Sequence, residues 1–246
     1  MRTKIVPISN IARLSDAANA LVNRSAGMPG MGLVEGATGL GKTTAVAWLA
    51  IRLHGVFVRA VAATTTSSLL ESICKELGIG KRQGNVNAVE DIVRKLAETG
   101  RPLFIDEADY LAGKRTLIET LRDIHDLASV PVVLIGMHGF RRKLTGLEQL
   151  TGRIAQWVEF EPSTAADAQL LANELAEVKV QPDLVRKLHH EARGEVRRMV
   201  VGLGRIEQFA RARGLDTISA AEWPANADFF IGAAPVAKKA SLTAVN

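Results

Sequence analysis

Apolar positions along this chain alternate between two spacings, and the alternation predicts an α/β core followed by helices alone. A first helix is expected near residues 11–23, closed by the turn signal Gly27-Met28-Pro29-Gly30. A short apolar run at 31–34 reads as a buried strand. After it come Val46, Leu49, Ala50 and Leu53, the i, i+3, i+4, i+7 stripe of a helix with one buried face. A second strand is expected at 56–62. The run Thr64 to Ser68 offers caps for a helix over 69–77, and a polar loop at 78–87 precedes a helix marked by Val89, Ile92, Val93 and Leu96, ending near Gly100. Further strands are expected at 102–105, 130–135 and 155–160, with a helix over 116–128 before the second of these. Strands and helices in this order predict a mainly parallel, five-stranded sheet covered on both faces.

Beyond Glu161-Pro162 the pattern holds no strand candidate. Thr164 with Asp167 marks a helix start, and Pro182 opens a second helix. Val196, Met199, Val200, Leu203, Ile206 and Phe209 mark a longer third one, and Ser219 with Glu222 forms a capping-box pattern. The expected organisation is a core over 1–162, a small helical domain over 163–232 and a frayed tail over 233–246.

Composition narrows the class. Of 246 residues, 47% are hydrophobic, enough for a buried core, and the net charge of +5 is compatible with a polyanionic partner. A single cysteine, Cys74, excludes an intramolecular disulfide framework and reads as a small core residue. With no signal-peptide pattern and no apolar run long enough to span a bilayer, the expectation is a soluble cytoplasmic protein without a membrane partner.

The densest chemistry lies at Gly36-Ala37-Thr38-Gly39-Leu40-Gly41-Lys42-Thr43, which satisfies G-x-x-x-x-G-K-[ST] between a strand and a helix. Gly36, Gly39 and Gly41 let the backbone wrap a polyphosphate with its N–H groups inward. Lys42 places a charge near the β- and γ-phosphates, and the Thr43 hydroxyl can ligate Mg²⁺. With Thr44, these residues form the expected nucleotide contacts. Downstream, Leu103-Phe104-Ile105-Asp106-Glu107 places two acids at the end of an apolar strand. Asp106 is expected in the Mg²⁺ shell, and Glu107 is expected to orient or deprotonate the attacking water. Asp109 reads as solvated or as a helix cap.

The loop, the interposed helix–strand–helix–helix and the paired acids resemble the AAA+ superfamily of ring- or filament-forming ATPases. That resemblance implies ATP and Mg²⁺ as ligands, and a helical lid behind the core. It places His138, in Gly136-Met137-His138, where the family carries a polar sensor beside the γ-phosphate; the alternative is a loop histidine. Arg153 resembles the arginine finger that a neighbouring copy inserts, with Arg141 and Arg142 as alternatives. Gly194-Glu195-Val196-Arg197 resembles the G-x-x-R of the second sensor, which assigns Arg197 to the nucleotide.

Three further stretches, Asp106-Glu107-Ala108 with Leu111, Leu121-Arg122 with His125-Asp126, and Val130-Pro131-Val132-Val133-Leu134 with Gly136, resemble the DEA-x-x-L, LR-x-x-H-D and VPVVL-x-G arrangement of transposition ATPases. These are the target-activator B proteins of Mu-like transposing phages and their relatives in Tn7- and Tn5053-type elements. The resemblance implies an ATP-dependent, sequence-independent binder of double-stranded DNA that assembles into a ring or helical filament and delivers target DNA to a transposase, in the host cytoplasm if phage-encoded. Sequence-independent binding needs cations aimed at phosphates. The set proposed for it is Arg59, Thr65, Lys81, Arg82, Lys114 and Arg115. An assembly ATPase acting on protein, as in secretion, and a nucleotide-gated switch with negligible turnover remain open as alternatives.

Overall fold

A computed structural model describes residues 1–25, 27–80 and 83–230. The elements in chain order are α1 (Ser9–Val22), β1 (Met31–Gly36), α2 (Lys42–Arg52), β2 (Val56–Arg59), α3 (Thr66–Glu76), α4 (Asn85–Thr99) and β3 (Leu103–Asp106). A 3₁₀ turn (Ala108–Leu111) leads to α5 (Arg115–Ala128), β4 (Val132–Ile135), α6 (Phe140–Lys143), α7 (Glu148–Thr151) and β5 (Ile154–Phe160). Then follow α8 (Ala165–Leu175), β6 (Lys179–Val180), α9 (Pro182–Ala192), α10 (Val196–Ala212) and β7 (Thr217–Ile218).

The five long strands form one parallel sheet in the order β2-β3-β4-β1-β5. β1 is an inner strand, with Leu33 in register with Leu134 on one side and Trp157 on the other. Because the sheet is covered on both faces, its inner strands are apolar on both, as the continuous apolar runs predict. Leu33 and Ile105 face the layer made by α3, α4 and α5, with Leu70, Ile73, Ile92, Leu96 and Leu121. Val34 and Val133 face the opposite layer, with Leu14 and Leu21 of α1 and Val46 and Leu49 of α2. Cys74 lies in the first layer, 1% exposed.

On the second face the apolar cluster does not stop at the sheet. It continues through Val6 and Ile8 into Leu171, Leu188, Leu203 and Trp223, so the C-terminal helices share one core with the α1–α2 layer. A polar clasp reinforces the junction. Thr164 and Asp167 form the capping box of α8, and the Asp167 carboxylate also accepts from the Ser9 backbone N–H (2.8 Å) and hydroxyl (2.9 Å) at the start of α1. Burial alone would push that carboxyl up, but its hydrogen bonds from Ser9 and Thr164 outweigh this and hold it below its ordinary value.

Three local expectations are corrected. The second strand ends at Arg59 rather than at residue 62, because the Thr64 hydroxyl accepts from the Val61 N–H (2.8 Å) and turns the chain. Two short helices, α6 and α7, fill the stretch between β4 and β5, where none was expected. The region after residue 162 is not purely helical, since β6 and β7 pair in parallel. Each has two residues, too few for an alternating pattern to register. The expected tail over 233–246 lies outside the described residues. Among those described, no helix is long and apolar enough to cross a membrane.

Candidate functional site

Parallel strands bring the carboxyl ends of β1, β3 and β4 to one rim, and the sequence-predicted site assembles there. The turn leaving β1 passes through Gly39 and Gly41 at φ of +85° and +87°, a backbone that side-chain-bearing residues rarely adopt. Gly41 is the N-cap of α2, so the loop and the first turn of that helix present backbone N–H groups and a positive dipole end to an anion. The Lys42 ammonium donates to the Gly36 carbonyl (2.7 Å) and the Ala37 carbonyl (2.9 Å), which keeps it folded over the loop. Burial lowers its pKa; Glu107, Asp106 and Asp109 oppose that shift, and Arg197 adds to it.

Asp106 ends β3 and is 2% exposed. Among the described residues its Oδ2 is the one buried side-chain polar atom with no hydrogen-bond partner. A buried carboxylate oxygen left unpaired is costly, so this position fits a cation or its bound water. With Thr43 and Asp106 on the same cleft, the donor set is hard oxygen, which suits Mg²⁺. No group of three or more His, Cys, Asp or Glu that could enclose a metal occurs among the described residues. Magnesium bound here would therefore take its remaining oxygens from phosphate and water.

Glu107 follows with φ of +54°, a left-handed backbone unusual for a residue with a side chain, and starts the 3₁₀ turn. Its Oε1 accepts from Arg59 Nη2 at 2.9 Å, and Arg59 Nε lies 4.0 Å from Asp106 Oδ2. Asp109 is half-buried and is not the cap of the turn: its Oδ1 accepts from the Met137 N–H (3.1 Å), tying the turn after Glu107 to the end of β4.

The cleft holding these groups has a volume of about 820 Å³. Its polar end is the loop with Asp106 and Glu107. Its apolar end, which sequence reasoning missed, is built from Ile5, Val6 and Ile8 before α1 and from Leu171, Leu175 and Val200 of the C-terminal helices. The apolar residues just before α1 were the available signal. Arg197 lines the same cleft, and its backbone N–H donates to the Gly39 carbonyl at 2.9 Å. The first turn of α10 is thus bonded directly to the phosphate loop.

Residues 26–144 match the family model described as AAA domain. Among solved structures, the chain is similar to the Aeropyrum pernix ORC2 protein in its ADPNP–ADP complexes, at TM-score 0.68 and 17% identity over 90% of this chain and 68% of that one. It is also similar to the Aeropyrum pernix ORC1 protein in complex with DNA, at TM-score 0.61 and 20% identity over 87% and 62%. The Thermotoga maritima RuvB Holliday junction branch migration motor aligns at TM-score 0.57 and 18% identity over 87% and 66%. This is a P-loop AAA+ fold. The chain spans about three fifths to two thirds of the length of these structures. The comparison with curated proteins gives no match.

Within the AAA+ fold, the remaining predicted residues fall in different places. Met137 lines the cleft, whereas His138 is exposed and has Nδ1 3.7 Å from Glu159 Oε1. Arg153 precedes β5, at the amino-terminal end of the sheet, where its carbonyl accepts from the Met31 N–H (2.9 Å). The phosphate loop leaves the opposite end of the neighbouring strand. Arg153 instead pairs with Asp126 of α5, Nε to Oδ1 at 3.2 Å and Nη2 to Oδ2 at 3.1 Å. Arg141 stacks over Trp157 with its guanidinium carbon 4.5 Å from the ring centroid, and Arg142 lies exposed on the next residue of α6.

Of the residues assigned to DNA, Arg59 pairs with Glu107 at the edge of the site. Lys114 donates to the Ala62 and Thr64 carbonyls (3.0 and 2.7 Å), Arg115 pairs with Glu119 (2.7 Å), and Thr65 caps α3. Lys81 and Arg82 lie outside the described residues.

Proposed function

We propose that this chain is an ATPase whose site is completed by a neighbouring copy, and that it assembles on duplex DNA without sequence preference to deliver that DNA to a transposase in the cytoplasm. The observation that carries the ATPase reading is the orphaned Asp106 Oδ2 on the same cleft as Lys42 and Thr43. In this reading Gly36, Ala37, Thr38, Gly39, Leu40, Gly41 and Thr44 cradle the phosphates through backbone and hydroxyl donors, while Lys42 faces the β- and γ-phosphates. Mg²⁺, held through Thr43 and Asp106, supplies neutralisation of phosphate charge. Glu107 takes the proton of the attacking water once Arg59 releases its carboxylate. Ile5, Val6, Leu171 and Val200 exclude water from the base, and Arg197 couples the C-terminal helices, acting as a lid, to the bound phosphates.

Arg153 supports completion in trans, because within its own chain it lies at the far end of the sheet from the phosphate loop. A guanidinium from an adjacent copy neutralises charge developing on the γ-phosphate, so turnover follows assembly. The DNA part of the reading draws on the net charge of +5 and on the three motif stretches. It draws also on the likeness to an ORC1 protein solved with DNA and to a branch migration motor. The transposase part draws on the motif stretches alone.

The test is retention of random-sequence duplex DNA at moderate salt with and without ATP, alongside the ATPase rate with and without that DNA. ATP-dependent retention and DNA-stimulated turnover are expected; absence of both overturns the DNA reading. A second reading, an assembly ATPase acting on protein, is favoured by one observation: Arg59, Lys114 and Arg115 are all engaged within the chain. Turnover stimulated by a protein partner and indifferent to DNA would decide for it.

A further inference from the structure

The His125-Asp126 pair closes α5, far from the phosphate loop, and the catalytic scheme leaves it unused. Its geometry is nonetheless tightly built. The turn from α5 to β4 is pinned by three bonds: Ser129 N–H to the His125 carbonyl (2.9 Å), Arg24 Nη2 to the Ser129 carbonyl (2.6 Å), and His125 Nδ1 to the Val130 carbonyl (2.7 Å). His125 is 5% exposed, and burial keeps its pKa below the ordinary value, so the neutral ring donates from Nδ1. Arg153 is fixed as firmly, with its N–H on the Leu150 carbonyl and its carbonyl on the Met31 N–H, both at 2.9 Å. Two anchored backbones therefore meet at the Asp126–Arg153 pair.

That contact is side-on. Asp126 occupies the Nε–H and one Nη2–H of Arg153. A guanidinium carries five N–H donors in a rigid plane, so three remain, two of them forming the end-on fork that faces away from the carboxylate. Both side chains are more than a third exposed, at 43% for Arg153 and 36% for Asp126. An ion pair that exposed adds little to folding stability. Its effect is orientation: it removes the rotamer freedom of a long side chain before that side chain meets its target.

We infer that Asp126 is a positioning residue, holding the Arg153 guanidinium side-on so that its free fork is presented to the γ-phosphate bound by a neighbouring copy. The inference rests on the trans reading above, and the test separates the two. Arg153→Ala copies keep an intact nucleotide site and lack the finger; Glu107→Gln copies cannot hydrolyse and keep the finger. Mixing them is expected to restore turnover. If it does not, the trans reading falls and the role of Asp126 falls with it.

If it does, a Glu107→Gln/Asp126→Asn donor is expected to rescue with kcat lowered about 10- to 100-fold, the range of a misplaced catalytic group, and with the KM for ATP unchanged. An Arg153→Ala/Asp126→Asn acceptor mixed with the Glu107→Gln donor is expected to turn over as well as the Arg153→Ala acceptor, because Asp126 serves the finger of its own chain only. Asp126→Asn should melt within about 4 °C of the parent. Undiminished rescue by the double-variant donor overturns the positioning role with the finger left standing. Equal damage from donor and acceptor sides assigns Asp126 to structure and overturns it too.

Discussion

Arg59 and Glu107 are joined at 2.9 Å across the carboxyl ends of β2 and β3, where Arg59 is the register partner of Asp106. The guanidinium occupies the carboxylate that the proposed chemistry needs free, and it holds Glu107 by its side chain while the backbone sits at φ of +54°. An ion pair with one partner 58% exposed contributes at most about 1 kcal/mol, a factor of about five. Arg59→Ala is therefore expected to raise DNA-independent turnover about two- to fivefold, with ATP affinity little changed. Steady-state kinetics without DNA check this, and a rate below the parent's would assign Arg59 to phosphate stabilisation instead.

Glu107→Gln keeps the size of the side chain and removes the base. Turnover is expected to fall by roughly 100-fold or more, while ATP binding persists. Light scattering or sedimentation with ATP and duplex DNA should then find an assembly that outlasts the parent's. An assembly that disperses at the parent's rate would uncouple hydrolysis from release.

The orphaned Asp106 Oδ2 predicts a conflict between stability and activity. In nucleotide-free protein, Asp106→Asn removes a buried carboxylate oxygen that accepts no hydrogen bond, and a gain of about 1 kcal/mol would raise the melting temperature by about 2–4 °C. The same change should abolish Mg²⁺-dependent turnover and shrink the thermal shift given by ATP with Mg²⁺. A lower melting temperature for the nucleotide-free variant would mean that the carboxylate is already satisfied.

Asp167 gives the pH dependence a definite sign. Its folded pKa lies below the ordinary value, so the stabilisation is complete above the unfolded value, about 3.9, and is lost as pH falls through the lower folded value. Asp167→Ala should cost about 1–2 kcal/mol at pH 7, the usual effect of losing a cap. The gap from the parent should close in acid below about pH 4. Urea unfolding across that range measures it, and a gap that stays constant would place the loss in packing rather than charge.

What the sequence exposed was whatever lies close along the chain. Gly36 to Thr43 is a contiguous string, and Asp106 closes an apolar run, so spacing alone picks out both as candidates. The sheet was legible for the same reason, each inner strand being a short run buried on two faces. Arg59 was read only as a cation for DNA phosphates because its partner Glu107 is 48 residues away and meets it only through strand order. The partner of Asp109 was missed on the same ground, since Met137 reaches it from just beyond β4. The apolar end of the cleft joins the first eight residues to helices more than 160 positions later, a pairing that no local period encodes. Strand order once known, the Arg59–Asp106 pairing follows from register.

The bond from the Arg197 amide to the Gly39 carbonyl makes the bundle behind the cleft and the glycine turn one mechanical unit. A rotation of α10 large enough to free a base would drag on the turn that grips phosphate. In the proposed reading, exit of spent nucleotide and recoil of the bundle would be a single stroke, and a partner leaning on the far end of α10 would have a lever reaching the phosphate grip.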